Sequence, residues 1–276
     1  MKRENLIIEL AAWGLDDNPD RPAAEGTTRA QARAEAGLRS LPDWNSHSPR
    51  GEAISVDIQN ALTEHAERND LREEFDGLAW TLGVVDLRRL VSFQRRLILH
   101  EEIIDDAELH DWATRIQLAL PHRRTSAYQR TWYPSGLTLR SENPDFTVRW
   151  CTISERDEVF ALMVRHGSPF MEVGCYRGRW FLRDGYHRAY RLLRAGIFEI
   201  PAVIVQTATL HELGANRAWF FPEEVLFSRR PPLVTDFLAD ELVLRWHSPA
   251  RRKVIHISIT EDFELLNSEQ EQGAEL

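Results

Sequence analysis

Asp184, Gly185, Tyr186, His187 and Arg188 form one unbroken run of the 276-residue chain, and their types suit the capture of a phosphate group. A glycine lets backbone amides approach an anion closely, while a histidine and an arginine supply charge and directional donors. Gly185, Tyr186, His187 and Arg188 are therefore the candidate phosphate- or nucleotide-binding residues, and Asp184 and His187 the candidate catalytic pair. Asp184 has three readings: it orients His187, it holds a magnesium ion together with substrate phosphates, or it caps a helix through its side-chain oxygen. Glu172 and Asp86 are secondary carboxylates, and Glu101, Glu102, Asp105 and Asp106 are further ones among which spacing does not choose. His100 and His110 lie among these acids, where a solvated helix face explains them more simply than a metal cluster.

These side chains need a strand that stops and a helix that starts. Arg179 to Leu182 reads as the strand, and Tyr186, Ala189, Tyr190 and Leu193 repeat at i, i+3, i+4, i+7, with Gly196 as the helix stop. The first turn of such a helix carries unpaired N–H groups and partial positive charge, so an anion is stabilised there. Alone, the same run also describes a tight turn and a helix whose basic side chains face water. Upstream, Ser154 and Asp157 resemble a capping box before Val159, Phe160, Met163 and Val164, which predicts a helix over 154–166. Phe170 to Tyr176 and Arg179 to Leu182, around Arg177-Gly178, predict a hairpin, and Ala202 to Val205 a buried strand.

This order of parts resembles the ParB/sulfiredoxin-like superfamily, in which a strand ends in an Asp-Gly-x-His-Arg type motif, a helix follows and a glycine-containing link returns to a strand. The matching residues are Asp184, Gly185, His187, Arg188, Gly196 and the return from Ile200 to Val205. Gly83 to Leu87, followed by a helix carrying Leu90, Val91, Gln94, Leu97 and Ile98, is similar to the family's opening strand and helix. The resemblance covers about half the chain and implies an α+β fold with a mixed sheet; the flanking segments are read as an N-terminal helical and a C-terminal β-hairpin extension of it. It also implies binding of a nucleotide or phosphorylated small molecule, with ATP or CTP and magnesium as the cofactors to expect. Tyr186 stands where the sulfiredoxin branch has its reactive cysteine, which excludes sulfinic-acid reduction. The Gly-Glu-Arg-Arg box and helix-turn-helix of partition proteins are missing too. Two readings remain: a phosphotransferase or nuclease, or a non-catalytic nucleotide-responsive sensor or partner-binding module.

Composition bounds the alternatives. Lysine and arginine total 34 against 43 acids, a net charge of −9, which disfavours broad attraction to nucleic acid. Charge is uneven: residues 52–76 carry eight acids and two arginines, whereas 177–194 carry six arginines and one acid. Two cysteines, Cys151 and Cys175, lack zinc-ligand spacing. No apolar run reaches the roughly eighteen to twenty residues needed to span a bilayer, no secretory signal precedes the chain, and a cytoplasmic location is expected.

Three divisions are expected: 1–77, an N-terminal helical extension with a mobile segment; 78–210, the ParB/sulfiredoxin-like domain; and 211–276, a C-terminal appendage. In the first, Leu6 to Trp13 is a short amphipathic start, Asp16 to Arg50 has weak periodicity, and an acidic helix runs from Ile54 to about Phe75. In the last, Leu242 to Trp246 and Val254 to Ile259 are expected to pair as a hairpin with Arg251, Arg252 and Lys253 at its tip. Between Trp112 and Trp150, Tyr128, Trp132 and Tyr133 interleave with arginines. That segment suits stacking on a nucleotide or a single strand, or else a long loop whose aromatics plug the domain.

Overall fold

The computed structural model describes residues 3–22, 24–44, 55–99, 107–122, 128–143, 146–154, 159–165, 167–215, 217 and 219–263. In chain order its elements are β1 (Glu4–Leu10), α1 (Ala24–Ser40), α2 (Val56–Ala66), α3 (Asn69–Glu74), β2 (Ala79–Asp86), β3 (Val91–Ser92), β4 (Arg96–Leu99), α4 (Trp112–Ala119), β5 (Gln129–Tyr133), β6 (Gly136–Ser141), β7 (Thr147–Ser154) and β8 (Val159–Arg165). They continue with β9 (Glu172–Tyr176), β10 (Arg179–Asp184), α5 (Tyr186–Arg194), β11 (Glu199–Gln206), α6 (Leu210–Leu213), α7 (Glu223–Leu226), β12 (Val243–Pro249) and β13 (Lys253–Ser258). The chain is α+β. Among the described residues no helix is long and apolar enough to cross a membrane.

Two compact units divide the chain, one of Met1–Arg124 with Ser168–Ala250 and one of Thr125–Gly167 with Arg251–Leu276. They do not follow the expected boundaries at 77/78 and 210/211. The N-terminal segment and most of the C-terminal one belong to the same unit as the central sheet, while a stretch from the middle of the chain leaves it.

The larger unit holds a five-stranded sheet of order β2-β11-β9-β10-β3 and a three-stranded sheet of order β12-β1-β4. β11 is the centre of the first: it pairs antiparallel with β2 and parallel with β9, and Ala202, Val203, Ile204 and Val205 are all buried. This is the continuous apolar run the sequence shows, since both faces of the strand are covered. β9 and β10 form the expected hairpin, turning through Arg177 and Gly178, both at positive φ, the pairing of conformations that a two-residue hairpin loop favours. α5 starts directly after β10 and buries Tyr186, Ala189, Tyr190, Leu192 and Leu193. Burial of a large apolar side chain stabilises by about 1.5–3 kcal/mol, so this one face anchors the helix.

Four sequence expectations are corrected. Of the residues predicted as a helix over 154–166, Ser154 lies in β7 and Val159–Arg165 form β8, which pairs antiparallel with β7, so that Val148 faces Val164 and Trp150 faces Leu162; 155–158 and 166 lie outside the described residues. Val159 to Val164 is apolar at every position, so helical spacing is present there only because every spacing is, and strand pairing decides. The predicted helix across Leu90 to Ile98 is a 3-10 turn at Leu87–Arg89 followed by β3 and β4. Asp86 accepts the Arg88 N–H at the entry of that turn, and β3 then pairs in parallel with β10, which a helix would forgo.

The amphipathic start, Leu6 to Trp13, is strand through Leu10 and a 3-10 turn over Ala11–Trp13: β1 is the central strand between β12 and β4. In the weakly periodic stretch that follows, α1 packs Ala34 and Leu38 against Leu242. Finally, the two C-terminal strands do not pair with each other. β12 pairs with β1 from Glu4↔Pro249 to Leu10↔Val243, and β13 pairs with β6 in the smaller unit. Both find their partners far away in sequence rather than across the short connection between them. The acidic helix is present as α2 and α3, interrupted at Glu67–Arg68.

The smaller unit comprises a three-stranded sheet of order β13-β6-β5 and the β7–β8 hairpin. Its own core is Leu137, Leu139 and Phe146, with Val148, Leu162, Val164, Ile255 and Ile257 packed around it.

Candidate functional site

Gly185 sits at φ +94°, a left-handed conformation that ends β10 and opens α5. A side chain there would be strained and would collide with the Met171 sulfur. The glycine is thus required by the turn and by the neighbour it touches, without reference to a ligand. Its N–H donates to Asp184 Oδ1 at 2.5 Å. Of the three readings of Asp184, side-chain capping at the N-cap position is not what the geometry provides: the N-cap residue is Gly185, whose amide Asp184 accepts, and Asp184 lies 3.8 Å from Arg188.

Tyr186 is buried. Its hydroxyl donates to Leu182 O at 2.8 Å and accepts from the N–H groups of Phe93 at 3.3 Å and Gln94 at 3.4 Å. The ring meets Phe93 and Phe237 edge-on. Burial pushes the phenol up from its ordinary value, so the group is a neutral bolt between α5 and the end of β3. His187 is exposed, and its Nε2 lies 2.6 Å from the Ile98 carbonyl oxygen. A carbonyl only accepts, so Nε2 carries the proton in this arrangement.

Arg188 turns into the protein. Nη1 donates to Leu118 O at 3.1 Å and to Pro169 O, and Nη2 donates to Phe170 O at 2.7 Å. Burial pulls the guanidinium below its usual range, with Asp184 and Glu172 acting in the opposite sense. The arginine joins three carbonyls from two separate segments: the end of α4 and the chain just before β9. Each would otherwise be an acceptor withdrawn from water, and a planar cation with several N–H donors is the side chain suited to serve all three. The five-residue run is therefore brought together, but Tyr186 and Arg188 point into the scaffold while His187 alone of the binding candidates has an exposed side chain.

Glu172 faces Asp184 across the β9–β10 pair. It is buried, and Arg183 Nη1 approaches it at 3.2 Å. Burial raises its carboxyl, Arg183 and a hydrogen bond with Ser168 lower it in part, and Glu74 adds to the rise. Arg183 also donates from Nε to Leu213 O at 3.2 Å. Asp86 stands at the far end of β2 with Arg88 and Arg89. Burial alone would raise its carboxyl, yet the hydrogen bonds from the Arg88 side chain and backbone take it below the usual range. Glu101, Glu102, Asp105, Asp106 and His100 lie outside the described residues. Among the described residues no group of three or more histidine, cysteine, aspartate or glutamate side chains is arranged to hold a metal.

The sequence did not point to two further acids, one buried and one partly exposed. Glu9 is fully buried and receives Arg21 at 2.8 Å and Arg96 at 2.9 Å, with Asp16 completing the cluster. Its signal was present as a lone carboxylate inside the apolar run Leu6–Leu10. Asp236, in the 3-10 turn Val234–Leu238, accepts the Leu233 N–H at 2.7 Å, and burial pushes its carboxyl up to about 7. Nothing in the spelling around it marks that burial.

The aromatic and basic segment between Trp112 and Trp150 begins as α4 in the larger unit. From Gln129 onward it builds β5, β6 and β7 of the smaller unit. There Trp132 and Trp150 are each 67% exposed, and Tyr133 and Tyr128 are exposed as well. No protein-family model matches the chain, and neither curated proteins nor solved structures yield a similar one.

Proposed function

We propose that this protein is a non-catalytic partner-binding module, in which the larger unit is a ParB/sulfiredoxin-like platform whose Asp184–Arg188 junction maintains the fold. The single observation that carries this reading is the engagement of Arg188 by the carbonyls of Leu118, Pro169 and Phe170. A phosphate site needs its cation turned to the ligand, and here the guanidinium closes the space between α4 and the start of β9. Burial of Tyr186 supports the same reading, as does the order β10, α5, β11 behind the ParB/sulfiredoxin-like resemblance.

The competing reading is a phosphotransferase or nuclease with Asp184 and His187 as its working pair and ATP or CTP with magnesium as cofactors. Incubation of the full chain with each nucleotide and magnesium, followed by chromatography of the products, separates the two. No nucleotide turnover and no magnesium-dependent cleavage of DNA or RNA is expected. Turnover or cleavage that disappears in a folded His187→Ala variant would overturn the proposal.

A further inference from the structure

The smaller unit has a chemical character that the larger one lacks. Eleven large hydrophobic residues are exposed among the described residues, and eight of them lie in this unit: Tyr128, Trp132, Tyr133, Trp150, Met163, Val254, Ile259 and Phe263. The unit comprises about a quarter of the chain, so the concentration calls for a cause. The unit as a whole carries eight lysines and arginines against eleven acids, so its basic groups matter only where they lie beside the exposed rings, as Arg130 and Arg140 do on β5 and β6.

The arrangement of these groups narrows the ligand. β5 is the outer strand of the β13-β6-β5 sheet. Alternation places Arg130 and Trp132 on one face and Gln129, Thr131 and Tyr133 on the other, so a ligand following the outer edge meets both rows. The Arg130 guanidinium lies 5.7 Å from the Trp132 ring centre. Arg140 faces Gln129 across the strand pair and bonds Thr131 Oγ1 at 3.4 Å. At the start of β5 a cleft of about 440 Å³ opens between Tyr128, Gln129, Arg140, Glu142, Asn143 and Arg252, where Arg252 lies 3.3 Å from the Glu142 carboxylate at the surface, a volume within the range of small-ligand sites.

We propose that the outer edge of β5 binds single-stranded nucleic acid, with bases stacking on Trp132, Tyr133 and Tyr128 and phosphates held by Arg130, Arg140 and Arg252. Flat aromatic faces next to guanidinium groups match a polymer that alternates planar bases with anionic phosphates. A duplex hides its base faces, and an acidic peptide has no use for exposed indoles, so neither matches both features. The inference rests on the binding-module reading but concerns a different unit, and its failure leaves the absence of nucleotide turnover as an independent result.

The test is fluorescence anisotropy of the full chain with a labelled oligothymidine of about twelve nucleotides, a length within the range that small stacking surfaces occupy. Binding is expected to weaken as salt rises. Trp132→Ala should weaken it about tenfold or more, consistent with the loss of one stacked base, and Trp132→Phe should retain most of it. Tyr133→Ala provides a second variant at an exposed position. Arg130→Ala with Arg140→Ala should flatten the salt dependence by roughly one unit of slope or slightly more. The proposal is overturned by no binding at low salt, by a Trp132→Ala variant that melts like the wild type and binds equally well, or by tighter binding of a duplex or of an acidic peptide of the same length.

Discussion

Arg188 Nη2 donates to the Phe170 carbonyl oxygen at 2.7 Å, across eighteen residues of sequence that include the whole β9–β10 hairpin. The residue that most resembles a phosphate ligand in the sequence thus holds the chain entering the hairpin against the helix leaving it. Stability, more than ligand affinity, is where its loss should register.

Arg188→Ala removes a buried cation and leaves Leu118, Pro169 and Phe170 oxygens without their donor. A loss of about 3 kcal/mol or more is expected, since each unsatisfied buried group costs about 1–3 kcal/mol and part of the site admits water. Arg188→Lys should recover little of it, because one ammonium does not span three carbonyls. Urea denaturation of both variants measures this, and an unchanged midpoint would be inconsistent with a structural role.

Tyr186→Phe keeps the ring against Phe93 and Phe237 but deletes the hydroxyl shared by Leu182, Phe93 and Gln94. The expected cost is about 1–3 kcal/mol with no change in the slope of the denaturation curve.

Asp236 gives the chain a pH signature. Its carboxyl stands at about 7 in the folded protein against an ordinary 3.8, chiefly through burial. The folded state therefore holds the proton more tightly than the unfolded one, so stability from this group is greatest below about 4 and falls as pH rises toward 7. A tenfold difference in proton affinity between the two states is worth about 1.4 kcal/mol, so a loss of a few kcal/mol is the expected scale. Asp236→Asn keeps an acceptor for the Leu233 N–H and stays neutral, so it should be more stable than wild type at pH 8 and should flatten this part of the pH profile.

Glu9→Gln leaves Arg21 and Arg96 beside Asp16 with the buried charge between them gone. Breaking a buried ion pair by removing one partner costs about 3–5 kcal/mol, and the strand β1 that carries Glu9 is the centre of its sheet. Equilibrium unfolding should show a loss of that order.

Legibility of the sequence depended on how local the determining contacts are. The β9–β10 hairpin, α5 and β11 were readable because turn residues at 177–178, apolar spacing from Tyr186 to Leu193 and the run Ala202–Val205 each specify their element over a few residues. β1 and β12 pair across more than two hundred residues, and β13 pairs with β6 instead of the adjacent strand; no local pattern encodes such choices. Val159–Val164 failed for a different reason, being apolar throughout and so compatible with either period. At the junction, residue types were legible but directions were not. Gly185 fits a close approach, yet the approaching atom is the Met171 sulfur, and Arg188 meets carbonyl dipoles where an anion was expected.

Whether the Asp184–Arg188 junction is closed to nucleotide is read from the backbone amide NMR signals of Gly185, Tyr186 and His187 while ATP or CTP is added with magnesium to the full chain. These three signals are expected to stay in place through the titration. Saturable shifts centred on them, accompanied by nucleotide breakdown that His187→Ala abolishes, would contradict a closed junction.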